Sequence, residues 1–389
     1  MVRFAFSPTH DLSVNELRIA LMSYTLSQEK NEAFIVRVDD MDKEKVLEKT
    51  EQETLGVLEL FGIKYTQVLH QSQNVRFHTA MALDLLHKKK AFSCFCSDAW
   101  LENKKEEANA ANKAYHYDDA CRNLPAELVI DNTAPFRIRI ARPDKAISSV
   151  DADTIDSFVI MNQDKTPTEV FASAVDDMLS DVSTVVSLKN DMLKNAREIH
   201  VRDALGYEKS VDYIYIEPLT EDVNVKELLE AGYLPEAISN YLLSLGSKGT
   251  SFDIERLKEM NKEALKEMDA RELSCYVGFA DAEIGELAKC YISDVATTKE
   301  LKSKIAAIFE KKDIPQEFTQ EAEKVKKAMK NTPFFEEYEA LEHYLMQESG
   351  LTDKQIEKVL RILLTNAVEG PDIGDIYKYL KNYLGELIK

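Results

Sequence analysis

The chain is short of the residues that mark special classes of protein. Its 389 residues include 5 cysteines, 12 glycines, 10 prolines and one tryptophan. Glycine and proline this scarce exclude a collagen-like or low-complexity chain, and no repeat of fixed period is visible. Five cysteines are too few for a disulfide-stapled scaffold, and three of them cluster, as metal ligands or buried thiols do in a reducing compartment. No apolar run approaches the roughly 20 residues that span a bilayer, and no basic, Ala-rich leader is present. The expectation is a soluble, cytoplasmic protein with no membrane partner.

An excess of positive charge is missing too. Lys+Arg number 49 against 69 Asp+Glu, a net charge of -20. Residues 251–389 hold 21 basic and 28 acidic residues and residues 1–250 hold 28 and 41, so neither part is basic. Binding to a phosphate backbone draws on Lys and Arg, so DNA is not an expected partner. Any RNA contact must rest on a local patch, Lys88-Lys89-Lys90 or Lys324, Lys326, Lys327 and Lys330. A solvated helix face is the plainer account of both runs.

What is present is ordinary for a globular chain of two or three domains: 44% apolar and 30% charged residues. Residues 2–6 read as a short strand and Ser7-Pro8-Thr9-His10 as a loop, because Pro8 cannot continue a central ladder. Val14, Leu17, Leu21 and Tyr24 fall on one helix face behind Ser13, a good N-cap. Phe34 to Val38 makes a second strand, and Leu47, Leu55 and Leu58 mark the next helix. Strand, helix, strand, helix with short links predicts a parallel α/β sheet, with ligands beyond the carboxyl ends of its strands, at residues 7–12. Residues 65–155 are irregular, with a Glu/Lys/Ala helix near 98–114 and a strand near 135–140, and look like an insertion. Alternating elements return over 156–217, and helices take over from about 225.

Arg3-Phe4-Ala5-Phe6-Ser7-Pro8-Thr9, with Leu12 and Arg18, resembles the RFAPSPTGxLHIGxxR opening of the glutamyl-tRNA synthetases. Val36-Arg37-Val38-Asp39-Asp40-Met41-Asp42 is similar to that family's LRIEDTD. Asp156-Ser157-Phe158-Val159, Thr166-Pro167-Thr168, Val175-Asp176-Asp177 and Ala204-Leu205-Gly206 follow its DDFVL, GTPTY, VVDD and EALG in order. Gly232-Tyr233-Leu234-Pro235-Glu236-Ala237 with Asn240-Tyr241-Leu242 looks like its GYLPEALLNYL. Leu360-Arg361, Leu364-Thr365 and Gly370-Pro371 resemble part of its anticodon-binding domain. Each motif alone is weak, but their colinearity over residues 2–380 argues descent.

The resemblance implies a class I synthetase core with a Rossmann-like parallel sheet at 1–65 and 156–224. It further implies an inserted zinc-ribbon-like, acceptor-stem-binding domain at 66–155, a helical stem-contact or junction domain at 225–300 and an all-helical anticodon-binding-like domain at 301–389. The motifs that handle ATP in this family are altered. Where the HIGH-type motif has histidine and glycine, this chain has Ser13 and Asn15, and Glu16 brings negative charge to a helix start that would otherwise suit phosphate. His10 could serve as a displaced histidine, though it lies three residues early. The KLSKR-type loop should fall between about 216 and Gly232, but Glu217 to Lys226 is short and acidic with a single lysine, whereas charge building on phosphate needs fixed cations. ATP binding is therefore doubtful.

The amino-acid pocket implied by the resemblance keeps Arg3 and Ser7 and includes Asp39. Its second arginine aligns with Ser187, its asparagine with Ser173 and its tyrosine with Glu169, and serine cannot supply the paired bonds of an arginine to a carboxylate. Arg3 and Asp39 read equally as a retained scaffold ion pair. Cys94-Phe95-Cys96 with Tyr117 and Cys121 resembles the zinc site of the family's insertion, His116 being the substitute fourth ligand, and a vestigial set of buried thiols is the rival account. Cys275 and Cys290 read as small core residues.

The expectation is a non-aminoacylating paralogue with no catalytic residues, acting as a binding module for tRNA, weakly, or for a protein partner. The rival is an active ATP-dependent glutamate–tRNA ligase, or a related amino-acid-activating enzyme, with altered motifs. A tRNA-modifying relative fits less well, since such relatives end before the anticodon-binding part and keep the nucleotide motifs.

Overall fold

A computed structural model describes residues 1–42, 44, 46, 47, 49–249, 251–330 and 332–388. Strand β1 (Val2–Phe6) is buried at four of its five positions and β2 (Phe34–Val38) at all five. Burial on both faces is what a parallel sheet sandwiched between helices requires. With β3 (Gln67–His70), β7 (Thr184–Leu188) and β8 (Asp212–Ile216) they form a five-stranded sheet in the order β3-β2-β1-β7-β8, every pairing parallel. The order reverses at β1, the strand from which the chain departs in both directions, and the expected ligand loop follows that strand. A second sheet, β4 (Ala91–Cys94), β5 (Arg137–Ile140) and β6 (Phe158–Met161), is antiparallel. The parallel sheet thus takes in residues 67–70, and the antiparallel sheet takes in 158–161.

The chain divides into two compact units, Met1–Val225 with Leu242–Phe252, and Lys226–Tyr241 with Asp253–Lys389. In the first, the Val14–Glu29 helix starts where the apolar spacing places it, and Ser13 caps it. The Met192–Leu205 helix stops at Gly206, whose φ of +86° is a left-handed conformation that side chains resist. One sequence expectation fails here. Leu47 lies outside the helix, which spans Thr50–Leu60; its N–H bonds to the Pro8 carbonyl and its side chain is half exposed. That bond to the loop after β1 holds Leu47 apart from the helix.

All regular elements lying wholly within the second unit are helical among the described residues. Asp253, Asp269, Asp281 and Asp372 cap four of its helices through their side chains. The Asp353–Thr365 helix buries Ile356, Val359, Leu360, Ile362, Leu363 and Leu364. Gly285 lies so close to Ala270 that a Cβ would sit 1.7 Å from its carbonyl oxygen, which fixes the approach of two helices. Cys275 is exposed and Cys290 half-buried, so neither is the core residue its small size suggested. No helix among the described residues is long and apolar enough to cross a membrane.

Candidate functional site

The carboxyl end of β1 leads through Ser7 to Thr9 into the start of the Val14–Glu29 helix. A helix start has unpaired amides to offer an anion, and here the chain answers them itself. The Glu16 N–H donates to Ser13 Oγ (3.3 Å), and the Ser13 N–H donates to Glu16 Oε2 (2.9 Å), a reciprocal capping box. The Val14 N–H donates to the Val223 carbonyl and the Val225 N–H to that of Leu12, pinning the 217–226 segment beside the helix start. Asn15, buried at this point, accepts from the Leu219 N–H (2.9 Å) and donates to Asp222 Oδ1 (3.1 Å). The buried Arg18 donates to the carbonyls of Glu217, Gly246 and Lys248. His10 is exposed, with Nε2 3.2 Å from Glu16 Oε1.

Beside this corner lies a cavity of about 300 Å³ whose lining brings together Arg3, Ser7, Asp39, Ser173 and Ser187, with Glu16, Glu169, Lys194 and Glu198. Its cations are already engaged. Arg3 grips Asp177 through Nε (3.1 Å) and Nη2 (2.8 Å). Arg37 binds Asp39 (2.7 Å), Asp177 (2.8 Å) and Ser173 Oγ (2.9 Å). Arg202 stands 3.8 Å from Asp177. Arg3 therefore pairs with Asp177 and Asp39 with Arg37, not Arg3 with Asp39. Burial alone would raise the Asp177 carboxyl, but Arg3 and then Arg37 hold it below its ordinary value. Burial likewise opposes charge on Arg37, and Asp39 followed by Asp177 overcomes it and raises its pKa.

Ser187 accepts from Asn195 Nδ2 (2.8 Å), and Lys194 pairs with Glu169. Lys194 is pushed down by burial and more than restored by Glu169. Sequence reasoning missed the Asp177 hub and the Glu169–Lys194 pair. The partners stand 174 and 25 residues apart, and only the adjacent acids Asp176 and Asp177 hinted at the first.

In the antiparallel region Cys94, Cys96 and Cys121 bring their Sγ atoms within 4.8 Å of one another. Tyr117 Oη lies 3.5 Å from Cys94 Sγ and 3.6 Å from Cys96 Sγ, and Cys96 and Cys121 are 3.6 Å apart. Three soft donors and a phenol converging at this scale fit the tetrahedral, sulfur-rich coordination of a structural zinc. His116 is directed elsewhere, its Nδ1 3.1 Å from Asp156. Arg139 Nε is 3.3 Å from Cys94 Sγ, and its guanidinium lies 4.0 Å from the centre of the Tyr117 ring. Burial raises the Cys94 thiol, but hydrogen bonds led by that of Tyr117 bring it below the ordinary value, while burial pushes Cys96 up to about 12.

The basic patches resolve differently. Lys88 pairs with Asp84, and Lys326, Lys327 and Lys330, without Lys324, line a separate cavity in the second unit.

A five-stranded parallel sheet with its ligand corner after the first strand, interrupted by an antiparallel insertion, is the plan of a class I aminoacyl-tRNA synthetase. The family model for the catalytic domain of class I tRNA synthetases of the E and Q type matches residues 1–276. Relatives include glutamate–tRNA ligase 2 of Sulfurimonas denitrificans at 46% identity and glutamate–tRNA ligase 1 of Campylobacter jejuni at 37%, each over 100% of both chains. Two solved glutamate–tRNA ligases share the fold at a TM-score of 0.80 and 19% identity, from Elizabethkingia meningosepticum and Elizabethkingia anophelis, with 100% of this chain and 98% of theirs covered. The chain belongs to the glutamyl-tRNA synthetase family. The Sulfurimonas alignment runs to 432 positions against a chain of 389, so 43 positions face no residue here.

Proposed function

We propose that the chain keeps the family's architecture as a cytoplasmic binding module, for tRNA or for a protein, without activating glutamate. The observation that carries this reading is the start of the Val14–Glu29 helix. Its capping box, Asn15 and the 217–226 segment use donors that an ATP phosphate would need, and Glu16 sets a carboxylate there. Like charges at contact distance repel by about 1 kcal/mol in water and by more in a cleft. The short stretch between β8 and the Val225–Glu230 helix carries no lysine to answer phosphate charge. In the neighbouring cavity Arg3 and Arg37 are bound to the chain's own carboxylates, and Ser187 leaves a substrate carboxylate without its second arginine.

On this reading residues 66–155 form the acceptor-stem-binding part, held by one structural zinc on Cys94, Cys96, Cys121 and Tyr117. Residues 225–300 form the stem-contact part and 301–389 the anticodon-binding-like part. The second reading, an active ligase with altered motifs, is favoured by the 46% identity over the full length of a relative that bears that name. ATP–pyrophosphate exchange, run with glutamate and with tRNA present, separates them. The expected result is no exchange above a heat-killed control. Glutamate-dependent exchange establishes the ligase instead.

A further inference from the structure

The cavity lined by Lys326, Lys327 and Lys330, about 960 Å³, lies within the second unit. It opens between the end of the Thr319–Met329 helix, the Thr332–Phe334 stretch and the C-terminal turns from Lys381 to Ile388. Its lining contains four lysines, Lys326, Lys327, Lys330 and Lys381, and one acid, Glu323. Lys381 is paired with Glu336, while Lys327 and Lys330 make no ion pair among the described residues. The lining also offers an apolar floor of Met329, Leu384 and Ile388 with the exposed Pro333 at its side, and Phe334 lines it with 63% of its surface exposed. A large ring left in water next to an apolar floor with a basic rim is the anatomy of an interaction surface.

The rim reverses the sign of its surroundings, since residues 251–389 carry 28 acids against 21 bases. The occupant must be anionic and must bring apolar surface of its own. Single-stranded RNA stacks its bases on rings, and this lining offers one ring, Phe334, among the apolar side chains of Met329, Pro333, Leu384 and Ile388. A peptide matches better, because its leucine-like side chains pack against aliphatic walls while its carboxylates meet the lysines. We propose that this cavity docks an acidic segment of a partner protein in which carboxylate and aliphatic or aromatic residues alternate. The proposal rests on the reading of the chain as a binding module and names the kind of partner.

The test titrates the full-length chain with a labelled peptide of alternating glutamate and leucine bearing one phenylalanine. The controls are the same peptide with lysine for glutamate and an oligouridylate of similar length. Saturable binding of the acidic peptide is expected, with none for the lysine peptide. Lys327→Glu with Lys330→Glu should weaken binding by about tenfold or more, and Phe334→Ser by about fivefold. All three positions are exposed, and unchanged thermal melting verifies that the variants fold. No acidic-peptide binding at low salt, equal affinity in the variants, or binding of the oligouridylate alone overturns the proposal. Pyrophosphate exchange and tRNA retention measured on the same samples report on the broader reading, so a chain that retains tRNA without exchange and ignores the peptide fails only here.

Discussion

The thiol cluster and the carboxyl end of the parallel sheet are both built from buried polar groups, yet their bonds run in opposite directions. At the sheet end Arg3, Arg37 and Arg202 converge on Asp177, Arg37 also holds Asp39, and the capping box joins Ser13 to Glu16. Charge meets charge inside the chain, and little is left to attract a ligand. In the cluster, three sulfurs and a phenol face one another, with the Arg139 guanidinium against Cys94 Sγ and that of Arg137 on the Cys96 carbonyl. These groups hydrogen-bond one another, yet as converging donors of one kind they could also hold an outside cation. The contrast is between groups of one kind, which can turn to an outside ligand together, and groups whose complement the chain itself supplies.

The sharpest way to break this contrast is to remove the hub. Asp177→Asn leaves three arginines buried around a neutral amide and should cost about 3–5 kcal/mol, read as a fall in the first unit's denaturation midpoint. A loss below about 1 kcal/mol would mean that Asp177 does not hold the arginines. The same residue sets an acid limit. Its folded-state pKa lies below the unfolded value, so its contribution is complete above the ordinary aspartate pKa of about 3.9 and disappears as pH falls through the lower folded value. The wild type should therefore lose stability in that acid window, and Asp177→Asn should lose less.

The next effect concerns the thiols. Protein made with zinc supplied should carry about one zinc per chain, and Cys94→Ser with Cys121→Ser should carry none and melt lower by about 5 °C. Zinc kept by the double variant, or absent from the wild type by elemental analysis, removes the cluster from the comparison.

Ser13→Ala should cost about 1 kcal/mol as a lost helix cap and bring no ATP binding in isothermal titration, since Glu16 and the 217–226 segment remain. The appearance of ATP binding would show that the cap alone had closed the corner. The smallest effect is on RNA. If tRNA is bound, reversing one lysine that contacts phosphate should reduce the salt slope of log K by about 1. Lys88→Glu and Lys330→Glu test the two patches separately, and unchanged slopes in both would place the contact elsewhere.

Local pattern carried much of the fold. Strand β1, the Ser13 cap and the helix starting at Val14 follow from residue type and spacing within a few residues, and the parallel sheet follows from the order of strands and helices. Leu47 misled because its apolar character suits a helix face, while its N–H is held by the Pro8 carbonyl 39 residues earlier. In the candidate site the altered residues were legible one by one, since a serine for an arginine needs no structure to notice. Their new bonds were not legible. Asn15 read only as a missing glycine, and its ties to Leu219 and Asp222 span more than 200 residues. The cavity beside Phe334 escaped notice because nothing in its sequence shows that Lys327 and Lys381 come to share one lining.

Arg18 has a consequence for the order in which the chain is made. Its guanidinium is fully buried, and two of its described carbonyl partners, Gly246 and Lys248, belong to the Leu242–Phe252 stretch that returns to the first unit. A nascent chain that has emerged only as far as Val225 can give Arg18 the Glu217 carbonyl and neither of the others. At roughly 5–20 residues per second, the last 27 residues up to Phe252 take about one to five seconds to appear. Until then Arg18 lacks the two carbonyls that Gly246 and Lys248 give it in the finished unit, although most of that unit's sequence has already left the ribosome.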